Sequence, residues 1–591
     1  MKRVLPAAAF AVALFASAPA MAGAAEDLAT LMKDYDEAIL RLYPSASLYR
    51  GDTRYLDRYE DNLTPQFLAE ARTLSKEYTG RLNTIDRAQL NYQDQLSYDI
   101  FAWTMKDQQE GLALAETFNL LPIDQFNATH ESFAREMGWR SQFPFKTAAD
   151  YEKAMKRMKG FAHWIDTAIA QMRDGIAKGV VQPRFMVERL ITQANELASK
   201  AMDESVFMGP VKNMPDTIKG KVRARVSAAY KKAVATTVVP AYKKLEAFLK
   251  SEYLPKSRDS VGISAVPGGK EMYLYLVKSH TTTDLTPEQI HAFGLKEVAR
   301  DLKEMEKVKK EAGFKGTLDE FRTYLRTDPK FKFKDADAMK AEFERIKTQT
   351  AANITKLFGR TPRTPFEIRP FEAFVAPTKA SAEYNPPSAD GTRPGIFYFN
   401  TYDLPSRPNY TTEVLELHEA VPGHHFQITL SIESTALPEF RRFGGTTAYI
   451  EGWGLYSESL GKDLGFYTDP YQKFGMLSFD IWRACRLVVD TGMHWMGWSR
   501  EQAIDYMLAN TSLTKTDVTA EVERYIAIPG QALAYKIGQR KWLELRDHAK
   551  KELGRKFDIR RFHDEALKDG AMPLAILDAK MERWIATEKG M

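Results

Sequence analysis

The fold and the chemistry of this chain are predicted from one stretch, Leu415-Glu-Leu-His-Glu-Ala-Val-Pro-Gly-His-His-Phe-Gln427. It holds three histidines and two glutamates, in a chain that has only ten histidines. His418-Glu419 matches the start of the His-Glu-x-x-His zinc motif. In that motif two imidazoles one helical turn apart bind the metal, and the glutamate is the general base. Here the next histidines are His424 and His425, so the spacing differs from the motif.

The two extra residues require a break in the helix. In a regular helix His418 and His425 would lie about 10 Å apart along the axis. One zinc ion, at about 2.0–2.1 Å from each nitrogen, does not bridge that gap. Pro422 has no N–H group, and Gly423 tolerates unusual backbone angles. We therefore predict a kink or bulge that brings His424, or alternatively His425, beside His418; the other interpretation is a surface helix end with scattered histidines.

The N-terminus has the pattern of a secretory signal. Lys2 and Arg3 precede an apolar run at 5–18, and Ala20-Met21-Ala22 is a small-x-small cleavage site. The run is too short to span a bilayer comfortably. No Cys follows it, so we expect no lipid anchor. These features predict a signal peptide at 1–22 and an exported protein, periplasmic or secreted.

Composition limits the class of protein. Cys485 is the single cysteine, so no internal disulfide is expected. A mature chain of about 570 residues buries a large core without such bonds. The formal charge of +5 falls to about +3 without Lys2 and Arg3. This near balance predicts no nucleic-acid and no membrane-surface role, and it leaves the oligomeric state open.

Helical periodicity dominates the chain. Charged and apolar residues recur at spacings of three and four from 28 to about 201, and again at 218–249. The stretch 286–289 is a capping box that begins a further helix. We predict a mostly α fold, with two helical lobes around a deep cleft and a small β-sheet next to the zinc helix. The N-terminal lobe would be 23–260 and the catalytic lobe 261–591.

The least helical segment precedes the histidine-rich stretch. The residues at 366–375 and 395–400 have strand patterns, and those at 382–388 form an extended segment. In zinc peptidases the outer strand of such a sheet pairs with extended substrate backbone. Tyr398 and Asn400 are therefore candidate substrate-binding residues. The alternative is that the sheet only supports the helix.

The third metal ligand is predicted on a second helix. Two histidines need another ligand, and the helical pattern at 446–459 places Glu451 and Glu458 two turns apart on one face. Glu451 is our choice, because aromatic and apolar neighbours argue against an exposed glutamate. Glu458 would orient an imidazole. One zinc ion is the expected cofactor, although such ligands also hold other divalent ions.

A polar stripe lies on the helix predicted at 471–495. Arg483, Arg486, Asp490 and His494 recur at steps of three, four and four among apolar residues. A polar stripe on a buried helix must be paired or must line a cleft. Either arginine could hold a substrate carboxylate in a bidentate pair, which would favour trimming of peptide ends. His494 could bind a developing oxyanion; a structural ion-pair network is the alternative.

The chain resembles the bacterial family known as domain of unknown function 885, and the matching motifs span the second half of the chain. Members of that family are described as zinc metallopeptidases of the gluzincin kind. The motifs are Pro267-Gly-Gly-Lys, His280-Thr-Thr-Thr283, Arg393-Pro-Gly-Ile-Phe-Tyr-Phe-Asn400, His418-Glu-Ala-Val-Pro-Gly-His-His425, Glu451-Gly-Trp-Gly-Leu-Tyr-Ser-Glu458, Arg486-Leu-Val-Val-Asp-Thr-Gly492 and Ile528-Pro-Gly-Gln-Ala-Leu-Ala-Tyr-Lys-Ile-Gly538.

More distantly, the chain is similar to helical oligopeptidases and to Taq-like carboxypeptidases. Their motif, His-Glu-Phe-Gly-His, has a glycine before its second histidine, and this likeness favours His424. Their glutamate ligand lies on the following helix, which fits Glu451. The Taq-like enzymes also share the spacing of Gly530, Tyr535 and Gly538, which implies that Tyr535 steadies an oxyanion. The two-residue insertion is where this chain departs from them.

These features predict a secreted zinc-dependent metallopeptidase that hydrolyses short peptides. His418, His424 and Glu451 would bind zinc, with water in the fourth position. Glu419 would take a proton from that water and pass it to the leaving amine. The partner would be a peptide substrate, with no nucleic acid and no membrane anchor. The alternatives are another metal-dependent hydrolase, acting on an ester or a cell-wall amide, and a non-catalytic metal-binding periplasmic protein.

Overall fold

The computed structural model describes residues 18–126, 129–139, 141–371, 376 and 379–590, with side chains from residue 23 onward. Most of the predicted signal peptide, residues 1–17, lies outside the described part, and the first helix begins at Ala18. Within the described ranges, no helix combines the length and the apolar character that crossing a bilayer requires.

The first half of the described chain is helical, as its periodicity predicts. The 31-residue helix at Ala148–Lys178 shows the cause. A capping box of Thr147 and Asp150 begins it, Gly179 ends it in the left-handed region, and one face is buried throughout. The helices of this half are α1 (Ala18–Leu42), α2 (Pro44–Arg50), α3 (Pro65–Asn83), α4 (Tyr92–Ala113), α5 (Ala115–Phe118), α6 (Thr129–Glu136), α7 (Ala148–Lys178), α8 (Arg184–Ser199), α9 (Gly209–Lys212), α10 (Gly220–Ala233) and α11 (Val239–Phe248).

The second half adds longer helices and a small sheet. The predicted capping box at Thr286 and Gln289 is confirmed at the start of α13. The helices are α12 (Gly269–Thr281), α13 (Pro287–Glu311), α14 (Leu318–Thr327), α15 (Ala336–Asn353), α16 (Thr412–Glu419), α17 (His424–Glu433), α18 (Glu439–Arg442), α19 (Thr447–Ser459), α20 (Pro470–His494), α21 (Arg500–Asn510), α22 (Lys515–Ala527), α23 (Ala534–Leu553), α24 (Ile559–Leu567) and α25 (Leu574–Gly590).

The sheet has three strands, β1 (Phe366–Pro370), β2 (Ala382–Asn385) and β3 (Gly395–Phe399). Their spatial order is β1-β3-β2, with β1 parallel and β2 antiparallel to β3. β3 is therefore the central strand, and β2 is an outer strand. Residues 372–375, which belong to the first predicted strand, lie outside the described part of the chain.

Helix α20 is the centre of the second half, and it is buried at every residue from Leu477 to His494. It packs along α13, and it also contacts α16 and α22. The neighbouring pair α19 and α23 is held together by close backbone contact at Gly452 and Gly538. A Cβ atom at Gly538 would lie 2.0 Å from the carbonyl oxygen of Ala448. A side chain at that position would force the two helices apart.

The fold class is confirmed: the described chain is mostly helical, with one small sheet beside α16 and α17. One continuous hydrophobic core extends from Leu28 to Ile585. A cleft of about 670 Å³ is lined from the first half by residues such as Phe118 and Gln182, and from the second half by His418 and its neighbours. The division into lobes at residue 260 stays a prediction.

Candidate metal centre

The helix break predicted between His418 and His424 is present. α16 ends at Glu419, and α17 begins at His424, after a turn that holds Pro422 and Gly423. A Cβ atom at Gly423 would lie 1.8 Å from the carbonyl oxygen of His418, so the turn folds back over the end of α16 where only glycine fits. The indole N–H of Trp453 donates to the carbonyl of Pro422 at 2.7 Å and fixes the turn.

The three predicted metal ligands converge. They are His418, His424 and Glu451, and we call this group of side chains the metal cluster. Oε2 of Glu451 lies 3.4 Å from Nε2 of His424 and 3.7 Å from Nε2 of His418. One ligand atom from each residue fits within a 4.8 Å envelope. Donor atoms at about 2.0–2.1 Å from a tetrahedral zinc ion would be about 3.3–3.4 Å apart. The side chains therefore stand close to the spacing that zinc requires, before any adjustment on binding.

The polar groups of this cluster also fit a cation. Oε2 of Glu451 is buried, and no hydrogen-bond partner for it exists among the described residues. Burial lowers the pKa of the His418 imidazole, but the carboxylates of Glu451 and Glu458 outweigh burial and raise the pKa to about 9. A negative field that favours an imidazolium also favours a metal ion. The residues therefore fit a divalent metal ion, and zinc as its identity stays a prediction.

Glu458 orients His418, as expected for a residue behind a metal ligand. Nδ1 of His418 donates to Oε1 of Glu458 at 2.8 Å. This bond keeps the proton on Nδ1, so Nε2, which points toward Glu451 and His424, is the nitrogen that would lose its proton to bind a metal. Arg483 lies behind Glu458, with Nη2 at 3.5 Å from the same oxygen. Arg483 thus contacts Glu458, and Glu458 in turn holds the imidazole of His418 in place.

His424 and His425 face different neighbours, a choice that the sequence left open. Nδ1 of His425 lies 2.8 Å from the hydroxyl of Tyr384 and 3.2 Å from that of Thr429. Its ring packs against Phe366 of β1, and burial lowers its pKa to about 4. His425 therefore joins α17 to the sheet, while His424 belongs to the metal cluster.

The predicted general base and oxyanion residue both line the cleft. Glu419 follows His418 directly and lies beside the cluster. Burial raises the pKa of its carboxyl, against the opposing influence of His418 and His424. The ring of Tyr535 stacks over that of His418, with centroids 6.4 Å apart and planes 13° apart. Burial also raises the pKa of Tyr535, so its hydroxyl is a hydrogen-bond donor at neutral pH.

The polar stripe of α20 divides into two parts. Arg483 and Arg486 line the cleft. Asp490 instead accepts hydrogen bonds from the hydroxyl of Tyr273 and from the N–H of Gly530. Asp490 therefore fits the structural alternative, whereas binding of a substrate carboxylate by either arginine stays a prediction.

His494 is a correction to the predicted site. Nδ1 of His494 accepts from the N–H of Ile263 at 3.0 Å, and Nε2 donates to the carbonyl of Tyr525, also at 3.0 Å. Its side chain has 0 % exposure. With both ring nitrogens bonded to backbone, His494 has no free position for an oxyanion. Its role is to join α20 to α22 and to the segment before α12.

Asn400 and Tyr398 are the second correction, because Tyr398 lies in the central strand β3 and Asn400 follows it, so neither belongs to the outer strand. The amide of Asn400 donates to the carbonyls of Ala376, Lys379 and Ala380, and its oxygen accepts from the N–H of Tyr402. Tyr398 stacks on Phe371, with ring centroids 5.4 Å apart. Both contacts stabilise the sheet and its loop, and the cleft is lined by β2 instead.

Sequence reasoning missed two parts of the site. The outer strand β2 lines the cleft with Ala382, Glu383 and Tyr384. Glu521 and Arg524 of α22 also line the cleft. The spacing of three between these two is an ion-pair signal on a helix, but nothing local in the sequence indicates that it faces the cleft.

A larger cavity, about 1490 Å³, lies near α2 and α18. It is lined by residues such as Asp36, Arg50 and Trp139, and its lining includes none of the three metal-cluster residues. We therefore place the candidate site in the smaller cleft, where the buried histidines and carboxylates meet.

Comparison with known proteins identifies relatives along nearly the whole chain. A search of curated proteins found no match. The structure is similar to that of "the putative lipoprotein from Colwellia psychrerythraea", with a TM-score of 0.85 and 29% identity over 95% of this chain and 99% of that one. It also resembles "a putative lipoprotein of unknown function from Shewanella oneidensis", with a TM-score of 0.71 and 18% identity over 94% and 99% of the two chains. The second likeness concerns the fold alone.

The sequence itself matches a described family over residues 44–581, which include the metal cluster and all the residues that line the cleft. That range covers far more than half of the chain. The protein belongs to the family described as "Bacterial protein of unknown function (DUF885)".

Proposed function

We propose that this protein is a zinc-dependent peptidase of the gluzincin kind, which hydrolyses short peptides. One observation carries the proposal. His418, His424 and Glu451 converge around a buried carboxylate oxygen that no described residue satisfies, and Glu419 lies beside them in an open cleft. Two imidazoles, one carboxylate and a neighbouring glutamate are the set that zinc peptidases use.

The residues would divide the work as follows. When bound, zinc supplies a Lewis acid that polarises a carbonyl and makes water more acidic. The carboxylate of Glu419 takes the proton from the attacking water and delivers it to the amine that leaves. The hydroxyl of Tyr535 donates to the carbonyl oxygen as negative charge develops there. His494 has no part in this proposal.

The outer strand β2 offers a place for the substrate backbone. The N–H of Asn400 donates to the carbonyl of Ser381 at 3.0 Å, and paired groups alternate along an antiparallel strand. The N–H and C=O groups of Ala382 and Tyr384 therefore point to the outer edge of the sheet. Both residues line the cleft. A peptide that binds in extended form can add to this edge.

We propose that the protein acts after export, in the periplasm or outside the cell. Two observations support this location. The segment 1–22 has the charge, apolar run and small residues of a secretory signal. The similar structures from Colwellia and Shewanella are described as putative lipoproteins, a class of exported protein.

The test is to measure zinc content and peptide hydrolysis together, for the wild type and for Glu419→Gln. We expect the wild type to bind about one zinc ion, as one set of three ligands implies, and to cleave peptides. Glu419→Gln should keep the metal and lose hydrolysis by about 100-fold or more, because general-base catalysis contributes about 10²–10⁴-fold.

A matched control is available on the same helix. Glu416 is also buried in α16, but it does not line the cleft. Glu416→Gln should leave both zinc binding and hydrolysis in place. If the wild type binds zinc and cleaves no peptide but does cleave an ester or a cell-wall amide, the other class of hydrolase is correct. If it binds no metal, the proposal fails at its first step.

A further inference from the structure

The wall of the cleft beyond Tyr535 carries more positive than negative charge. Arg486 and Arg524 both pair with one carboxylate, that of Glu521. Oε2 of Glu521 accepts from Nη2 of Arg486 at 3.1 Å and from Nη2 of Arg524 at 3.0 Å. The hydroxyl of Tyr525 donates to the same oxygen at 2.7 Å. Two guanidinium groups therefore share one acidic partner, and one positive charge is not balanced by a direct contact within this group.

Arg486 has a terminal nitrogen with unused hydrogen-bonding capacity. Its Nε donates to Tyr525 and its Nη2 to Glu521, whereas Nη1 has no hydrogen-bond partner in the described part of the chain. The side chain is almost fully buried, with an exposed fraction of 4 %. A buried guanidinium nitrogen without a partner costs free energy unless a ligand satisfies it.

Aromatic rings hold this guanidinium in a fixed orientation. Its carbon lies 4.4 Å from the centroid of the Tyr535 ring and 4.5 Å from that of Trp482. Such stacking on ring faces is favourable for arginine, and it leaves the edge of the group available for hydrogen bonds. The planar fork of arginine matches a carboxylate better than the point charge of lysine does.

Arg483 is not equivalent, although it lies one turn earlier on α20. Its Nη2 faces Glu458, the residue that orients His418, and its Nη1 donates to the carbonyl of Phe479. It therefore belongs to the support of the metal cluster. Its Nε has no partner among the described residues, but both of its terminal nitrogens have one, whereas Nη1 of Arg486 has none. These contacts favour Arg486 over Arg483 as the residue that binds a carboxylate.

We infer that Arg486, assisted by Arg524, binds the C-terminal carboxylate of the peptide, so that the enzyme removes short pieces from the C-terminal end of its substrates. This inference rests on the proposed peptidase function. Two stacked contacts, of 6.4 Å and 4.4 Å, lead from the His418 ring through Tyr535 to Arg486. An extended peptide advances about 3.3–3.6 Å per residue. The distance from the His418 ring to Arg486 along these two contacts therefore corresponds to no more than about three residues.

The experiment uses the full-length zinc-loaded protein and N-acetylated hexapeptides. One peptide ends in a free carboxylate, the second is its C-terminal amide, and the third is an amide whose last residue is Glu. We expect kcat/KM for the free acid to exceed that for its amide by about 10- to 100-fold, the range for a hydrogen bond to a charged group. Mass analysis should place the cut within three residues of the C-terminus.

Variants of Arg486 separate recognition from folding. Arg486→Gln removes the charge, and Arg486→Lys keeps the charge but loses the fork. Both should lower kcat/KM for the acid and bring the ratio of acid to amide toward one, with a smaller loss for Lys. A purely structural defect would lower hydrolysis of acid and amide alike, and would leave the ratio unchanged.

Other results overturn the inference in distinguishable ways. Equal cleavage of acid and amide by the wild type would reject it while leaving the peptidase proposal intact. If the Glu-ended amide is cleaved as fast as the acid, the arginines read an acidic side chain and not the chain terminus. If no peptide is cleaved, the proposed function fails. In that case the affinity of the protein for the acid peptide and for the amide peptide, measured by calorimetry, still tests the carboxylate site. Equal affinities would reject that site.

Discussion

At the scale of single residues, the pair His424 and His425 shows how adjacent side chains of one type acquire different roles. Both are buried at the start of α17. Successive residues of a helix point about 100° apart, so one ring faces α19 and the other faces the sheet. The residue type therefore says little about which histidine joins the candidate metal site, whereas the direction of each ring decides it.

Replacing each histidine in turn tests that assignment. His424→Asn should lower zinc affinity by more than about 100-fold, because even changes behind a ligand cost about 10- to 100-fold. His425→Asn should retain zinc, but lose the contact with Tyr384 and about 1–3 kcal/mol of stability. Zinc affinity is measured by chelator competition and stability by urea unfolding. The assignment is wrong if His425→Asn loses the metal and His424→Asn keeps it.

Replacing Glu458 should lower zinc affinity by a smaller factor than replacing His424. Glu458→Gln retains an acceptor for Nδ1 of His418 but removes the negative charge, so zinc affinity should fall by about 10-fold. The stoichiometry should stay the same. Glu416→Gln serves again as the control, with unchanged affinity. An unaltered affinity in Glu458→Gln would show that the charge behind His418 has no influence on the metal.

At the scale of elements, the positions of the ligands depend on how helices approach one another. Glu451 reaches the histidines because α19 packs against α16, and Tyr535 reaches the cleft because α23 packs against α19. The closest backbone approach in this group is at Gly538. Local sequence makes each helix, but contact between glycines sets the distance between them.

Substitution at this contact should therefore disturb both stability and the site. Gly538→Ala places a methyl group against the carbonyl of Ala448, and should cost about 1–3 kcal/mol, as overpacking typically does. It should also weaken zinc binding, because α19 carries Glu451. Gly80→Ala is the matched control, since a Cβ atom there meets nothing within 4 Å. In the last turn of α3 that change should add up to about 0.5–1 kcal/mol of stability. Equal stabilities of the two variants would contradict this account.

At the scale of the whole molecule, buried neutral histidines make stability depend on pH. His130, His494 and His563 each have 0 % exposure. Burial lowers the pKa of His130 and His494 to about 4, and that of His563 to about 3. In the unfolded chain their pKa is about 6.5. Between these values the unfolded state binds more protons, so stability rises with pH in that window.

Acidification from about pH 6.5 to pH 4 should therefore unfold the protein progressively. Each of the three histidines lowers the free energy of unfolding by up to about 3 kcal/mol at pH 4, on the basis of about 1.4 kcal/mol for each pKa unit. Urea midpoints measured at pH 7, 6, 5 and 4 should fall steadily. His494→Gln should reduce that slope, even if it is less stable at pH 7. A midpoint independent of pH would exclude burial of neutral histidines as a cause of acid unfolding.

The sequence by itself determined the helical fold class, the capping boxes and the break between His418 and His424, since each follows from the local properties of a few residues. Periodicity predicts helices, and Pro422 with Gly423 ends one. The sequence also placed Glu451 and Glu458 on one helix face, where the structure has them. These features depend on neighbours within one or two turns.

Only the tertiary structure decided which residues share the cleft. Asn400 follows β3, and strand order alone makes β3 central, so the outer edge belongs to β2. His494 continues the stripe of Arg486 along α20, but the backbone of α22 and of Ile263 occupies its ring nitrogens. Glu521 and Arg524 enter the site from a helix far along the chain. A hydrogen-bond partner distant in sequence leaves no local pattern, and therefore packing determines whether a polar side chain is structural or free to bind a ligand.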